Sequence, residues 1–135
     1  MLKKLAGVDA MPICLNTKSE ERIVEIAKAL EPNFAVINIE DIETPKCLDI
    51  TERLSREMQI PIFHDDRMGT AIVTLAALLN ALKLAGKSLK DVKIAINGAG
   101  AAGMGIAELL VDAGARNVYL CDTTGILNKA EAGSI

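Results

Sequence analysis

The sequence predicts an α/β protein in which parallel strands alternate with helices. Short runs of aliphatic residues alternate with longer segments whose apolar residues recur at helical spacing. Half of the 135 residues are hydrophobic, yet Trp is absent and there are only two Phe and one Tyr, which is typical of buried parallel strands. A glycine-rich turn joins a strand-like run to a helix, as in a right-handed βαβ unit.

The first half of the chain contains three strand-like runs and two predicted helices. The runs lie at residues 11–15, 34–39 and 60–63. Thr17 and Glu20 match a capping box and therefore predict where the first helix begins. Thr44-Pro45 predicts the start of the second helix, because proline fits the first turn. The apolar faces of the two helices comprise Ile23, Ile26, Ala27 and Leu30, and then Cys47, Ile50, Leu54 and Met58.

The second half begins with a helix over residues 69–84 that is apolar nearly all round, so we expect it to be buried or to lie between domains. Gly86 ends this helix. A polar connection at residues 88–91 follows, and it predicts domains at residues 1–87 and 88–135. The second domain would hold only the first βαβ of a Rossmann-type fold, with a strand at 92–96, a helix at 101–113 and a strand at 117–121.

The glycine-rich turn has the pattern of a dinucleotide-binding site. Residues 97–103 read NGAGAAG, which contains GxGxxG at the mouth of a helix. The three glycines allow a tight turn, close approach of the pyrophosphate and close helix–strand packing, and the helix start offers N–H groups to the phosphates. Tight packing without any ligand is the alternative. The predicted cofactor-binding residues are Gly98, Gly100, Ala101, Ala102, Gly103 and Asp122.

Asp122 supports the cofactor interpretation and favours NAD over NADP. It ends the next strand 19 residues after Gly103, where a carboxylate accepts hydrogen bonds from the adenine ribose. Thr123 and Thr124 follow it, so no arginine or lysine stands beside the carboxylate to bind a 2′-phosphate. Lys129 is near enough in sequence to leave NADP open.

Two acidic pairs follow two of the strand-like runs. Glu40-Asp41 comes after residues 34–39, and Asp65-Asp66 comes after the run at 60–63. In an open parallel sheet the carboxyl ends of the strands share one edge, where ligands bind. Carboxylates held close together repel one another and are tolerated chiefly when a cation neutralises them. Because oxygen ligands suit Mg²⁺ or Mn²⁺, the pairs predict a divalent-metal site.

Each acidic residue also has a structural alternative. Asp66 could cap the helix that follows it, and Asp41 could be a turn residue or an N-cap before Thr44-Pro45. His64, the only histidine, is expected to be a packed polar residue or a partner of the metal ligands rather than a ligand. For the two pairs taken together, metal binding is the favoured interpretation.

Charge and cysteine usage exclude several classes of function. A net charge of −3 and a pI near 5.2 give no reason to expect nucleic acid or an anionic membrane as a partner. Cys14, Cys47 and Cys121 form no CxxC pair, which argues against a disulfide framework and for a cytoplasmic protein. The first ten residues do not read as a signal peptide, and the apolar stretch at residues 71–84 is too short and interrupted to span a bilayer.

Together these motifs resemble the malic enzyme family in its compact bacterial form. The segments LAGVDAMPICLNT, INIEDI, IPIFHDDRMGTAIVTLAALLNALKLAGK and VKIAINGAGAAGMGIAELL are similar to family segments in the same order. The resemblance implies metal ligands at Glu40, Asp41 and Asp66, with Asp65 supporting them. It makes residues 1–87 part of the metal and substrate domain, and it implies oxidative decarboxylation of (S)-malate to pyruvate and CO₂ with reduction of NAD(P)⁺.

The chain also departs from the family pattern. Arg67-Met68 stands where bacterial members commonly have Gln-His, and Ala35-Val36 replaces a frequent pair of glycines. Arg67 could compete with the metal as a counter-ion of Asp66 or attract a substrate carboxylate. The family's general-base lysine, its tyrosine acid, and its substrate-binding arginine and asparagines have no counterpart here. We therefore expect an internal part of a malic enzyme that is inactive by itself.

Two other classes of protein compete with this interpretation. The chain could be a non-enzymatic remnant that binds metal or nucleotide, or an assembly partner of a split enzyme. A two-domain dehydrogenase of the amino-acid or shikimate type would share the glycine motif but should lack the acidic pairs. We expect malate and pyruvate as small-molecule partners, no nucleic acid or membrane, and either a homo-oligomer or association with the segment that carries the missing residues.

Overall fold

In the computed structural model, which describes residues 2–127, two small sheets are flanked by helices. The first sheet pairs β1 (Ile37–Ile39) with β2 (Ile62–His64) in parallel. The second pairs β3 (Lys93–Asn97) with β4 (Asn117–Asp122) in parallel and adds a short antiparallel β5 (Gly125–Ile126). The helices are α1 (Leu2–Ala6), α2 (Glu20–Leu30), α3 (Lys46–Glu57), α4 (Thr70–Leu84) and α5 (Ala101–Asp112). The predicted α/β class is confirmed.

The core of the first unit lies between α2, α3 and the β1–β2 sheet. Val24 of α2 and Ile50 of α3 are each 1% exposed, and Leu54 is completely buried. Fully burying a side chain of this size stabilises the fold by roughly 1.5–3 kcal/mol relative to leaving it exposed. The predicted apolar face of α3 is thereby confirmed, since Cys47 and Met58 are buried as well.

The start of α2 differs from the predicted capping box. Ser19, rather than Thr17, is the N-cap, and its hydroxyl accepts a hydrogen bond of 3.4 Å from the amide of Arg22. The Thr17 hydroxyl instead accepts from the amide of Ser19 at 3.1 Å. Both hydroxyl residues are good N-caps, but the pattern with Glu20 selects Thr17, so the helix begins two residues later than the pattern implies.

The strand-like runs are shorter in the structure than in the sequence. Residues 11–15 form no strand within the described part of the chain, and Met11 is 71% exposed, so that prediction is wrong. β1 begins only at Ile37, because β2 is short and offers no partner earlier in the register. The helix α1 and the antiparallel β5 were not predicted, since they are only five and two residues long.

A π-helical turn (Asp65–Gly69) runs directly into α4 and connects the two units. Ala71 and Leu82 of α4 are buried, whereas Val73 is 65% exposed, so α4 is not buried all round within residues 2–127. The alternative, a helix that lies between domains, stays a prediction. The turn and α4 form one helical stretch of 20 residues, Asp65–Leu84, long and apolar enough to cross a membrane by length and composition alone. The added turn contributes Asp65, Asp66 and Arg67, and the core helix of a soluble protein can meet the same two criteria.

The connection between α4 and β3 is where the sequence predicts a domain boundary. Gly86 has a φ of +64° and ends α4, as predicted, with the Lys87 amide bonded back to the carbonyl of Leu82 at 2.9 Å. The division into domains at residues 1–87 and 88–135 itself stays a prediction.

Candidate functional site

The glycine-rich turn between β3 and α5 forms a cradle in which each glycine has a separate role. Gly98 has a φ of +121°, which side-chain-bearing residues rarely adopt, and its amide donates to the carbonyl of Cys121 on β4 at 2.8 Å. A Cβ on Gly103 would overlap the carbonyl oxygen of Gly98, so the helix can pack here only without a side chain. A Cβ on Gly100 would meet no atom within 4 Å. The second glycine therefore borders open space, where a ligand can approach.

That space is an open pocket of about 400 Å³ at the carboxyl edge of β3 and β4. Gly100 is the N-cap of α5 and supplies no side chain to the amides of the first helical turn, in which Ala101 is buried and Ala102 half-buried. Free amides at a helix start bind anions, which suits a pyrophosphate. The lining residues are Asn97, Gly98, Ala99, Gly100, Asp122 and Thr123.

Asp122 supplies the negative charge of this pocket. Its Oδ1 atom accepts hydrogen bonds from the amide of Thr124 at 2.7 Å and from the hydroxyl of Thr124 at 2.6 Å. These bonds, the hydroxyl bond first, lower the pKa of Asp122 below its usual value, because they favour the ionised form. The carboxylate is thus held in a fixed, charged state beside the cradle. Lys129, which left NADP open, lies outside the described residues.

The two acidic pairs follow neighbouring parallel strands, as predicted. Ile39 at the end of β1 pairs with His64 at the end of β2, so both acidic pairs leave the sheet at the same edge. The amide of Asp41 donates a 3.2 Å hydrogen bond to the Oδ2 atom of Asp66. Asp41 has a φ of +58°, a left-handed conformation that aspartate tolerates better than most residues. Asp41 thus lies at a bend of the chain shortly after β1.

Neither Asp66 nor Asp41 is the N-cap of the helix that follows it. The N-cap of α4 is Gly69, and that of α3 is Pro45, and neither helix start has a side-chain cap bond. Asp66 uses its carboxylate across the sheet edge instead. The Oδ1 atom of Asp65 lies where Gly69 has no side chain, since a Cβ there would come within 2.5 Å of it.

The chemistry of this edge suits a hard cation, although the side chains do not surround one point. Within residues 2–127 no group of three or more His, Cys, Asp or Glu side chains is arranged to hold a metal ion. Glu40 and Asp41 are exposed, and the side chain of Asp66 is 47% exposed. The donors are carboxylates, which Mg²⁺ and Mn²⁺ prefer. The metal site with Glu40, Asp41 and Asp66 as ligands, and Asp65 in support, stays a prediction.

His64 is the buried polar residue of this edge. It is 1% exposed, and neither ring nitrogen has a hydrogen-bond partner among the described residues. Its Nε2 atom lies 4.0 Å from the Oδ2 atom of Asp66. Burial lowers the pKa of His64, and the nearby Asp66 carboxylate only partly opposes this. The expectation of a packed polar residue is confirmed, and its proximity to Asp66 is compatible with a role as a partner.

Two residues of α5 that the sequence analysis missed connect the cradle to the acidic edge. Glu108 forms an ion pair with Arg67 of the π-helical turn. A Cβ on Gly105 would lie 2.6 Å from the Cγ atom of Arg67, so the turn rests directly on α5. Arg67 is thus engaged by Glu108, an arrangement that neither sequence alternative considered. Gly105 could have been singled out from the sequence, because it extends the pattern to Gly-x-x-Gly-x-Gly and lies inside a predicted helix. Glycine is destabilising there unless close packing requires it.

Taken together, the cradle at the carboxyl edge of parallel strands, the helix start and the terminal aspartate form a site suited to a dinucleotide. Residues 68–133 match the family described as "Malic enzyme, NAD binding domain". A bifunctional malic/malolactic enzyme of Bacillus subtilis is 54% identical over 127 residues, which are 94% of this chain and 31% of the relative. An NAD-dependent malic enzyme of Geobacillus stearothermophilus is 50% identical over 131 residues, 97% of this chain and 27% of the relative.

A solved structure extends the match to three dimensions. The crystal structure of an NAD-dependent malic enzyme from Thermotoga maritima superimposes with a TM-score of 0.89 at 54% identity, and covers 95% of this chain and 34% of that one. Along nearly its whole length the chain is similar to malic enzymes, and residues 68–133 match the NAD-binding domain of that family. It spans about a third or less of the length of the relatives it matches.

Proposed function

We propose that the protein carrying this chain catalyses the metal-dependent oxidative decarboxylation of (S)-malate to pyruvate and CO₂, with reduction of NAD⁺. The observation that carries the proposal is the pairing of β1 with β2, which brings both acidic pairs to one sheet edge in a chain that also holds a dinucleotide cradle. The names of the related malic enzymes support the same reaction.

The cradle residues bind and orient the dinucleotide in this proposal. The amides at the start of α5 bind the pyrophosphate, and Gly100 leaves the room that the phosphates need. Asp122 accepts hydrogen bonds from the adenine ribose hydroxyls, and its fixed charge repels a 2′-phosphate. NAD⁺ is therefore the proposed cofactor. Relatives named as NADP-dependent malic enzymes match as well, so the preference is a property to be measured.

The acidic edge is proposed to hold Mg²⁺ or Mn²⁺ through Glu40, Asp41 and Asp66. When bound, such an ion supplies Lewis-acid chemistry at the oxygens of a hydroxy acid. The chain's own contribution is to hold carboxylates at the ends of two paired strands, with the Asp41 amide fixing one oxygen of Asp66. Asp65 supports the turn that carries Asp66, because its carboxylate fills the space left by Gly69.

For these 135 residues on their own, we propose binding without turnover. The single tyrosine, Tyr119, lies within β4, and the residues that line the described pocket include no lysine or tyrosine. The proposed reaction needs groups that take and return protons at the substrate. This observation favours the second candidate function, a nucleotide- and metal-binding module, for the isolated chain.

Steady-state kinetics of the protein that carries this chain test both statements. With (S)-malate, NAD⁺ and Mn²⁺, reduced nicotinamide should accumulate together with pyruvate, and Asp66→Asn should abolish most of this rate. Asp49→Asn, a change of the same chemistry on the exposed surface of α3, is the matched control and should have no effect. Absence of malate-dependent reduction would refute the proposed reaction. Turnover by a purified polypeptide of residues 1–135 would refute the proposal of binding alone.

A further inference from the structure

The π-helical turn that carries the acidic pair Asp65-Asp66 lies in direct contact with the helix that forms the cradle. A Cβ on Gly105 of α5 would come within 2.6 Å of the Cγ atom and 2.9 Å of the carbonyl oxygen of Arg67. Only a glycine permits this approach, because any side chain would push the turn away from the helix. The two segments are therefore in backbone contact.

An ion pair also joins the π-helical turn to α5. The guanidinium of Arg67 binds the carboxylate of Glu108, and the two side chains are 30% and 33% exposed. A partly buried, charge-assisted ion pair is less screened by salt than a pair on the surface. Removing one of its two side chains therefore lowers the stability of the contact by more. The contact is specific, since Arg67 and Glu108 are 41 residues apart in the sequence.

Each side of the contact lies close to a residue that is proposed to bind a ligand. Arg67 directly follows Asp66, and Gly105 follows Gly103 by two residues on α5, at a rise of about 1.5 Å per residue. A shift of α5 on binding of a pyrophosphate would therefore move the turn that carries Asp66. Movement of the turn toward a cation moves α5 in the same way, because packed contacts of this kind do not deform gradually.

We propose that Arg67, Glu108 and Gly105 form a latch that couples divalent-cation binding at the acidic edge to dinucleotide binding at the cradle. The three are positioning residues and contact neither ligand. The inference rests on the proposed function, since it needs both ligands to bind. Each ligand then orders the contact that the other requires, so each raises the affinity for the other by the same factor.

Calorimetric titration of the intact protein tests the latch without turnover. NAD⁺ affinity is measured with and without saturating Mn²⁺, and Mn²⁺ affinity with and without NAD⁺. In the wild type each ligand should tighten the other by about 10-fold, within the usual range of such couplings. In Arg67→Met and Glu108→Gln this factor should fall below about 2-fold, and in the reversed pair Arg67→Glu with Glu108→Arg it should return.

Arg53→Met is the matched control. Arg53 bridges Glu21 and Glu57 between α2 and α3 at a side-chain exposure of 35%, close to that of Arg67, and its loss should leave the coupling unchanged. Full coupling in Arg67→Met and Glu108→Gln would overturn the latch. Binding of both ligands to the wild type without mutual effect would overturn the latch alone, whereas binding of neither would overturn the proposed function as well.

Discussion

The amide of Asp41 donates a 3.2 Å hydrogen bond to the carboxylate of Asp66, which ties together the ends of two strands that are 25 residues apart along the chain. Asp41 makes this bond from a left-handed conformation, with a φ of +58°. It fixes one oxygen of Asp66, and the other has no hydrogen-bond partner among residues 2–127. The acidic edge is therefore a local structure with its own restraints rather than a set of independent surface charges.

The change Asp66→Asn separates the role of that charge from the role of the hydrogen bond. The asparagine carbonyl still accepts from the Asp41 amide, so the free energy of unfolding should change by no more than about 0.5 kcal/mol. Mn²⁺ affinity, measured from the free-ion signal in electron paramagnetic resonance, should fall at least about 10-fold, as it should in Glu40→Gln. Asp49→Asn provides the control. Unchanged Mn²⁺ affinity in both variants would remove the metal assignment.

Gly100→Ala and Gly103→Ala should damage the cradle in different ways. A methyl group at Gly103 collides with the Gly98 carbonyl, so this variant should lose about 1–3 kcal/mol of stability and nucleotide binding with it. A methyl group at Gly100 meets no atom of the described chain, so that variant should unfold at nearly the wild-type urea midpoint and still lose NAD⁺ affinity. Equal effects of the two changes on stability would contradict the assigned roles.

The sequence predicts those parts of the fold that depend on local periodicity. The face of α3 was predictable because Cys47, Ile50, Leu54 and Met58 recur at helical spacing and their environment is a core. The cradle was predictable because Gly98 has a φ that glycine alone adopts freely, and because a side chain at Gly103 would collide with the carbonyl of Gly98. Parallel pairing of β1 and β2 followed from the intervening helix.

The rest depends on contacts between residues that are distant in sequence. No local pattern reveals that Arg67 meets Glu108, and the two sequence alternatives paired Arg67 with Asp66 or with a substrate carboxylate. The composition of α4 shows that the helix is apolar, but it does not show what covers it, and Val73 is 65% exposed. Whether the acidic side chains close on a cation depends on side-chain positions that strand order alone does not set.

Thr124 should control the ionisation of Asp122. Its amide and hydroxyl lower the pKa of the carboxyl group, so the folded chain binds a proton there less readily than the unfolded chain does. The resulting stabilisation is present above the unfolded pKa, near 3.8, and is lost as the pH falls through the lower folded value. In Thr124→Ala the pKa of Asp122 should rise toward 3.8, as read from its carboxyl carbon by NMR. Thr123→Ala is the neighbouring control. A value that does not rise in Thr124→Ala would show that the hydroxyl is not the main cause.

His64 should make the folded chain less stable as the pH falls from about 7.5 to about 5.5, above the range in which ordinary carboxylates titrate. Burial lowers its pKa from 6.5, so the unfolded chain binds a proton in this window more readily than the folded chain, and protonation favours unfolding. The urea midpoint should therefore decrease across the window in the wild type. Because this is the only histidine, His64→Phe should remove the dependence. The substitution also removes two buried nitrogens that have no hydrogen-bond partner among the described residues. No hydrogen bond to those residues is therefore lost, and the variant should be destabilised at pH 7 by less than the loss of a buried hydrogen bond would cause. A pH slope that persists in His64→Phe would assign the titration to another group, and a flat wild-type profile would show that the imidazole is not held in its neutral form by burial.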